Sequence, residues 1–493
     1  MSTILIKNAQ VIDGTGQAPY KSDILIKNEK ISAIDQLINF EADENIDAMG
    51  AYVSPGFIDI NNASDRYIQI FSENPQKYFL LQGITTVIGG QGGISLAPLL
   101  YGSLQSLRTF SDVGKININW HTFSEFFENF KKQPLAINFG TFAGLTTIYR
   151  ALIGQAIARP LNSNETKIIN SILKESFKAG AFGISVNLNH FLTSQISYYD
   201  LKKIIENTAV LNAVFSVNLK DLKENIVESV KKIVYLAKET GAKVIINDFL
   251  PHIGFEKSYR EALKIIEENS GYSDVYFNLY PCAGHIEPVS EYLPKWLKGS
   301  REEILKNISD PDAMEKIISE FHRLKPKEMS IINAPYYEHL RLIGQSLEEF
   351  SNKRNLSVKE GLLEIMKITK LRAEILVNDI NLEESIEALL HEKALPSHSN
   401  IFLAQNYCQP FSKFLEIAEK EENIPLEKAI FKITSLPAQK LGIEKRGEIK
   451  EGYYADLVVF KDSKISNVIL NGQKVVKDNE YQNILAGKII KKQ

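Results

Sequence analysis

The chain has 493 residues, of which 44% are apolar and 24% are charged, and its formal net charge is −3. This length exceeds one ordinary domain, and the composition is that of a folded globular protein rather than a disordered chain. The small net charge gives no electrostatic case for binding nucleic acid or an anionic membrane surface, so neither partner is expected.

Cysteine usage and the N-terminal residues predict a cytoplasmic protein. Cys282 and Cys408 are the two cysteines of the sequence, too few for a disulfide framework, and this usage suits a reducing compartment. The N-terminus lacks the basic start and apolar core of a signal peptide. No apolar run approaches the ~20 residues that a membrane helix needs.

Short strand patterns mark both ends of the chain. Residues 4–11, 23–27 and 31–34 are β-prone and are separated by turn signals such as D-G-T-G and N-E-K. Residues 447–450, 455–460 and 468–476 have the same character. We therefore predict one composite β-sandwich built from residues 1–54 and 441–493.

Helical and strand patterns alternate in the body of the chain, which indicates a parallel α/β fold. The predicted strands are residues 85–88, 136–139, 183–186, 214–217, 243–246 and 275–279. The alternation breaks near residues 286–345, which we interpret as a small insertion over the barrel mouth. Residues 55–440 are thus predicted to form a (β/α)8 TIM-like barrel.

Residues 55–65, P-G-F-I-D-I-N-N-A-S-D, begin as a buried strand and then turn polar. In a barrel the carboxyl end of a strand faces the active site. This stretch resembles the first barrel strand of the amidohydrolase superfamily, which reads P-G-F-I-D-x-H-x-H. Further matches point to the D-aminoacylase (N-acyl-D-amino-acid deacylase) branch of that superfamily, and they lie at residues 11–16, 83–87, 93–98, 434–439 and 447–460.

The resemblance implies a hydrolase that cleaves the carbon–nitrogen amide bond of N-acyl-D-amino acids with a divalent metal, usually zinc, and a catalytic aspartate. The positions that match the family's metal ligands and catalytic aspartate all carry other residues. These are Asn61 and Ala63 in the first strand, then Gly92, Leu145, Asn218, Asp248 and, for the aspartate, Lys393. Alanine and glycine offer no side-chain ligand, and an amide is a poor substitute for imidazole on zinc. We therefore expect no metal and no cofactor.

Our main interpretation is a pseudoenzyme, a catalytically degenerate homologue that binds a small polar ligand or has a regulatory role. Its pocket would be lined by Asn61, Asn218, Asn278 and Tyr280, which are good hydrogen-bonding side chains. One hypothesis is that an ion pair between Lys393 and Asp248, joined by Asp59 or Asp65, replaces the metal. The alternative, which we favour, is that Lys393 points to solvent, as most lysines do.

The alternative is an active hydrolase of non-peptide carbon–nitrogen bonds. One version is metal-free and uses a lysine of lowered pKa, Lys393 or Lys220, as nucleophile or base. The other uses a relocated metal site, for which the candidates are Asp59, Asp65, Asp248, His285 and Glu392. The sequence does not decide between an enzyme and a binding protein, and it gives no oligomeric state.

Overall fold

The structure is a computed structural model that describes residues 2–36, 40–100, 104–115, 118–154, 159–294, 296–297, 299–322, 324–420 and 424–493. The N-terminal segment forms strands β1 to β5 of one sheet, at Thr3–Val11, Tyr20–Lys27, Lys30–Asp35, Glu44–Asp47 and Tyr52–Pro55. Ile4, Ile6 and Val11 of β1 are buried in the core of this β domain.

The barrel begins directly after β5. Its first strands are β6 to β13, at Phe57–Asp59, Ile84–Gly89, Asn138–Thr141, Ala143–Gly144, Gly183–Asn187, Val214–Asn218, Lys243–Asn247 and Asp274–Leu279, and β9 continues β8. They pair in parallel register, for example Val214 with Lys243. Helices cover the outside, so strands such as V-I-I in β12 are buried apolar runs.

The outer helices connect successive barrel strands. They are α1 to α8, at Glu73–Leu80, Leu104–Arg108, Phe123–Phe130, Leu145–Ile153, Ser163–Ala179, Tyr198–Val210, Ile226–Thr240 and Glu256–Glu268. Helix α5 shows the usual end signals. The Asn162 side chain accepts hydrogen bonds from the backbone of Asn164 and Glu165 at its start, and Gly180 ends it at a φ of 115°.

An inserted unit interrupts the barrel after β13. It consists of β14, α9, α10, β15, α11, α12 and β16, at His285–Pro288, Arg301–Ser309, Pro311–Ser319, Met329–Asn333, Leu347–Asn352, Val358–Ile368 and Glu374–Val377. Strand β16 returns to pair antiparallel with β14, His285 opposite Val377, and the unit has its own hydrophobic core. The insertion is therefore longer than the predicted 286–345, because its closing strand lies beyond residue 370.

The chain then completes the barrel and returns to the β domain. The remaining elements are α13, β17, α14, α15, α16 and β18 to β21, at Leu382–Leu390, Ala394–Pro396, Pro410–Lys420, Leu426–Ile433, Ser435–Leu441, Leu457–Lys461, Lys464–Leu470, Gln473–Lys477 and Glu480–Tyr481. The barrel closes where Ser399 N donates to Asn61 O at 2.7 Å. Strand β18 pairs with β5, so both chain ends share a nine-stranded sheet. The predicted fold class, a TIM-like barrel with an additional β domain, is confirmed.

Cys282 and Cys408 form a disulfide, although the cysteine usage was interpreted as typical of a reducing compartment. Cys282 lies in the loop after β13 and Cys408 in the loop before α14, and these loops meet although 126 residues separate the cysteines. The cytoplasmic location stays a prediction. In the described part of the chain, no helix is both long enough and apolar enough to span a bilayer.

Candidate functional site at the barrel mouth

Asparagine side chains surround Asp248 at the carboxyl ends of the barrel strands. Asn61 Nδ2 donates to Asp248 Oδ1 at 3.0 Å, and Asn218 Nδ2 donates to Asp248 Oδ2 at 2.8 Å. Asn278 Oδ1 accepts from Asn61 Nδ2 and from the backbone of Asp248, each at 3.0 Å. We call Asn61, Asn218, Asp248 and Asn278 the mouth network. The structure thus brings together these four residues, which the sequence placed in one pocket.

The mouth network does not offer a zinc site of the family's kind. Both carboxylate oxygens of Asp248 are taken by amide donors, and Ala63 is buried without a donor atom. Burial raises the pKa of Asp248 above its ordinary value, although hydrogen bonds from Ser399 and Asn218 act in the opposite direction. Asn218 Oδ1 is buried and has no hydrogen-bond partner among the described residues, so it is available to a ligand donor.

Two further positions that match metal ligands of the family also lack a ligand atom. Leu145 is a fully buried residue at the start of α4. Gly92 has a φ of 63°, and a Cβ at this position would overlap Nη2 of Arg66. The space beside Gly92, where a ligand side chain would start, therefore holds a guanidinium group that donates to Gln91 O at 2.8 Å.

Lys393 does not belong to this site, so the predicted ion pair with Asp248 is wrong. Lys393 precedes β17 and thus lies at the amino end of the barrel, away from the mouth. Its Nζ lies 3.7 Å from Glu392 Oε1 and 4.8 Å from the centre of the Tyr276 ring. Glu392 is 76% exposed there, and Lys220 is exposed as well. The reason is the position of the last strand, whose carboxyl end is followed by Ser397, not by Lys393.

Asp59 and Asp65 are buried near the mouth but face other partners. Asp59 Oδ2 lies 3.2 Å from His398 Nδ1. Asp65 Oδ2 accepts from Gly90 N at 2.7 Å, and burial raises the pKa of Asp65 to about 6. Neither carboxylate joins a cluster with His285, so the relocated site that we drew from these residues does not form.

A different cluster forms at the rim of the mouth. His252 Nδ1 lies 3.1 Å from Asp379 Oδ2, and His285 Nδ1 lies 2.8 Å from Asp379 Oδ1. Their ligand atoms all lie within 4.8 Å of one another. We call His252, His285 and Asp379 the rim triad. Backbone bonds hold its segments together: Ile253 N donates to Asp379 O at 2.7 Å and Ile380 N donates to Ala283 O at 3.0 Å.

The rim triad fits a metal ion in its donor chemistry. Two imidazoles and one carboxylate are a ligand set that zinc uses in catalytic sites, where a fourth position stays open. His285 Nδ1 and Asp379 Oδ1 are buried, and neither makes a hydrogen bond of acceptable geometry within the described residues. His285 Nε2 lies 3.1 Å from Glu287 Oε2, which is the carboxylate–histidine pairing that orients metal-bound imidazoles.

The charges around the rim triad couple metal binding to the loss of a proton. Burial lowers the pKa of His285, but the nearby carboxylates of Asp379 and Glu287 raise it to about 10, so an arriving metal ion displaces a proton. Lys223 Nζ lies 3.3 Å from Asp379 Oδ2 and shares that carboxylate. Tyr280 lies between the network and the triad, since after burial the charges of Asp248 and Asp379 contribute to its raised pKa.

Sequence reasoning singled out His285 but missed its two partners. His252 follows β12 and Asp379 follows β16, so both lie just beyond the end of a strand, which is the one signal that the sequence contained. Their meeting depends on β16 folding back onto β14, which no local pattern reveals.

Comparison with known proteins places this geometry in a family. A model of the amidohydrolase family matches residues 399–475. The D-aminoacylase of Alcaligenes xylosoxydans xylosoxydans is 22% identical over 99% of this chain and 97% of its own. The N-acyl-D-aspartate deacylase of the same organism is 23% identical over 94% of this chain and 86% of its own.

Solved structures agree in fold over the whole chain. A D-aminoacylase described with a binuclear metal center has a TM-score of 0.81 at 23% identity and covers 99% of both chains. An N-acyl-D-glutamate deacylase from Bordetella bronchiseptica, complexed with zinc and a phosphonate inhibitor, has a TM-score of 0.80 at 19% identity, with 99% of both chains covered.

The expectation of no metal and no cofactor is wrong. Solved relatives contain a binuclear metal center, zinc or copper chloride, and the rim triad supplies a ligand group in this chain. This expectation was wrong because it considered only the positions that match the metal ligands of the family. The sequence relatives span nearly the whole chain, and the fold of the solved D-aminoacylase matches over 99% of it. Over nearly its whole length, this chain is similar in sequence to the D-aminoacylase branch of the amidohydrolase superfamily.

Proposed function

We propose that this protein is a metal-dependent hydrolase that cleaves a non-peptide carbon–nitrogen bond in a small acylated substrate bound at the barrel mouth. The observation that carries the proposal is the rim triad, a His, His, Asp ligand group that the loop after β12 and the insertion strands β14 and β16 bring together at the rim of the barrel mouth. Relatives named D-aminoacylase and N-acyl-D-aspartate deacylase support a substrate class of N-acylated amino acids.

His252, His285 and Asp379 would hold the ion, and Glu287 would fix the orientation of the His285 ring. A bound divalent metal polarises an amide carbonyl and lowers the pKa of water at that position. The residues of the mouth network would then bind the substrate. Asn218 Oδ1 has no partner in the described structure and can accept from an amide N–H. Asp248, whose pKa burial raises, is the carboxyl group suited to carry a proton.

A second candidate is a binding protein without turnover. The favouring observation is that Asp248 is closed off by Asn61 and Asn218, which leaves the family's position for chemistry without a free reactive group. A small polar ligand would then bind to the remaining amide groups at the mouth. The lysine-based enzyme is not proposed, because Lys393 lies at the other end of the barrel.

The test combines metal content with hydrolysis. Protein purified without chelators is analysed by mass spectrometry for bound metal, and release of free amine is followed on a panel of N-acyl-D- and N-acyl-L-amino acids. We expect about one metal ion per chain and turnover of at least one panel member. His285→Ala should lose both, whereas the matched control His322→Ala, at an exposed position of the insertion, should keep both.

The outcomes separate the two candidates. Equal metal content in wild type and His285→Ala would remove the rim triad as the metal site. Metal that depends on His285, without turnover of any substrate, would favour the binding protein.

A further inference from the structure

Four arginines lie within electrostatic reach of one another where the barrel mouth meets the insertion, because Arg301 acts on Arg150 and Arg372, and Arg66 and Arg150 both act on His190. Arg66 follows β6 and Arg150 lies in the last turn of α4, both on the barrel, while Arg301 begins α9 and Arg372 precedes β16, both in the insertion. We call these four residues the arginine cluster. By strand order it lies on the β6–β10 side of the mouth, whereas the rim triad follows β12, β13 and β16 on the other side.

The contacts of these arginines are with aromatic rings, one hydroxyl and one backbone carbonyl, Gln91 O, to which Arg66 Nη2 donates at 2.8 Å. The guanidinium carbon of Arg66 lies 5.2 Å from the centre of the Phe110 ring. Arg301 Nη2 donates to Oγ1 of Thr109, the residue that precedes Phe110 in the sequence, at 3.3 Å. The guanidinium of Arg372 lies 4.8 Å from the centre of the Tyr336 ring. These contacts fix the orientation of the guanidinium groups.

Buried donors of the cluster have no partner. The Nε atoms of Arg66, Arg150 and Arg372 are each buried without a hydrogen bond to any described residue. A buried charged donor that lacks an acceptor costs free energy, so such groups are normally paired. Three of them in one place are unusual for a folded protein unless something absent from the protein chain supplies the acceptors.

No carboxylate of the described residues forms an ion pair within 4.0 Å with these four arginines, although the charge of Glu302 acts on Arg301 and Arg372 and that of Asp65 acts on Arg66. In the parts of the chain that the structure describes, the arginines with an ion pair within 4.0 Å are Arg159, Arg260 and Arg446. The nearby carboxylate of Glu374 is already occupied, because it accepts from Tyr67 Oη at 2.7 Å and from Asn333 Nδ2 at 2.8 Å.

The positive charges act on each other. Burial and the charge of Arg301 lower the pKa of Arg150 to about 10. Burial and the charges of Arg150 and Arg66 lower the pKa of His190 to about 3, so this histidine adds no further charge. Burial and the charge of Arg301 also lower the pKa of Arg372. Like charges held together in this way repel unless an anion lies among them.

We propose that the arginine cluster binds a small molecule that carries a group with two or more negative charges, either a phosphate ester or a polycarboxylate. Guanidinium groups bind both kinds of group through paired N–H···O bonds, and the charge of such a ligand balances several arginines at once. The inference goes beyond the proposed function, since the binding requires neither the rim triad nor turnover.

The test measures the melting temperature of the full-length protein in chloride buffer at constant ionic strength. Inorganic phosphate is titrated in one series and tricarballylate in another. We expect a saturable rise of roughly 3 °C or more at 100-fold excess over the dissociation constant in at least one series. The series with the tighter binding identifies the phosphate or the carboxylate class.

Two variants and a control test whether the anion binds at the arginine cluster. Arg150→Gln and Arg372→Gln should each weaken anion binding about tenfold or more. In chloride alone they should melt at the same or a higher temperature than wild type, because one repelling charge is gone. Arg260→Gln, a control whose side chain is 62% exposed and paired with Glu384, should keep the wild-type affinity.

The proposal is wrong if neither anion raises the melting temperature of the wild type, or if Arg150→Gln and Arg372→Gln respond as the wild type does. Should one of these variants not fold, the wild-type titration and the other variant still decide the question.

Discussion

The mouth network and the rim triad lie at the same end of the barrel and differ in one respect. In the network, each oxygen of Asp248 receives a hydrogen bond from an asparagine, so its charged group is satisfied by the protein itself. In the triad, His285 Nδ1 and Asp379 Oδ1 lie 2.8 Å apart but outside hydrogen-bond geometry, so this pair is held by charge and not by a well-formed hydrogen bond. A buried group that the fold satisfies contributes to stability, whereas an unsatisfied one marks a place for a ligand. Substitutions at the two places should therefore affect different quantities.

The largest expected effect is a pH dependence of the unfolding free energy that comes from Asp65, a buried residue near the mouth. Its pKa is raised from 3.8 to about 6 in the folded protein, so the folded state binds the proton more tightly than the unfolded chain does. Its contribution to stability is present at low pH and is lost as the pH rises from about 4 through 6. Relative to wild type, Asp65→Asn should gain about 3 kcal/mol of unfolding free energy between pH 3 and pH 7. Urea denaturation at several pH values measures this.

Asp462→Asn, at an exposed turn, is the control for Asp65 and should follow the wild type across the whole range. Parallel curves for Asp65→Asn and the wild type would mean that Asp65 is not the proton-binding group that its burial implies.

Breaking the mouth network should destabilise the fold. Asn61→Leu removes a donor from the buried Asp248 and should lower the unfolding free energy by about 2–3 kcal/mol. In an Asp248→Asn background the same change should cost about half as much, because no charge is then left without its donor. Denaturant titration of the four proteins gives the coupling. Equal losses in both backgrounds would show that Asp248 is neutral in the folded protein.

Weakening the rim triad should leave stability unchanged and affect metal binding. Glu287→Gln removes the carboxylate behind His285 and should reduce metal affinity about 10- to 100-fold. Competition against a chromophoric chelator measures the affinity, and circular dichroism checks the fold. Glu291→Gln, on the next turn of the same segment, is the matched control and should bind metal as the wild type does. A full effect in the control instead would point to general electrostatics rather than to orientation of the ring.

The smallest effect is expected at Lys393. Lys393→Ala should change metal content and ligand binding by nothing measurable, and it should lower stability by about 1 kcal/mol or less through loss of the contact with Tyr276. Thermal unfolding and metal analysis test this. A loss of metal or of ligand binding would return Lys393 to the site, contrary to its position at the amino end of β17.

The sequence predicted the barrel well because its signals are local. The strand predicted at 243–246 is Lys243–Asn247 in the structure, and the one predicted at 275–279 is Asp274–Leu279. A buried parallel strand shows itself as an apolar run between turn residues. Three members of the mouth network, Asn61, Asn218 and Asp248, were found by matching the motifs of the family, and each lies at or shortly after the end of such a strand.

The insertion and the rim triad could not be predicted by these means. The end of the insertion depends on β16 pairing with β14, a contact between residues far apart in sequence. Asp379 meets His252 and His285 only because of that pairing. Lys393 was misplaced since a match without gaps put it at the end of the last strand, whereas Ala394–Pro396 follow it.

The disulfide between Cys282 and Cys408 determines what happens when a protease cleaves the chain in the insertion. The bond closes a ring of chain that contains the whole insertion and the last barrel strand. A single cleavage in the insertion would put His252 and His285 on one fragment and Asp379 on the other. The two fragments would still be one covalent molecule, because each carries one of the bonded cysteines. Cleaved protein should therefore run as two bands on a gel only after reduction, and its three metal ligands should remain together until then.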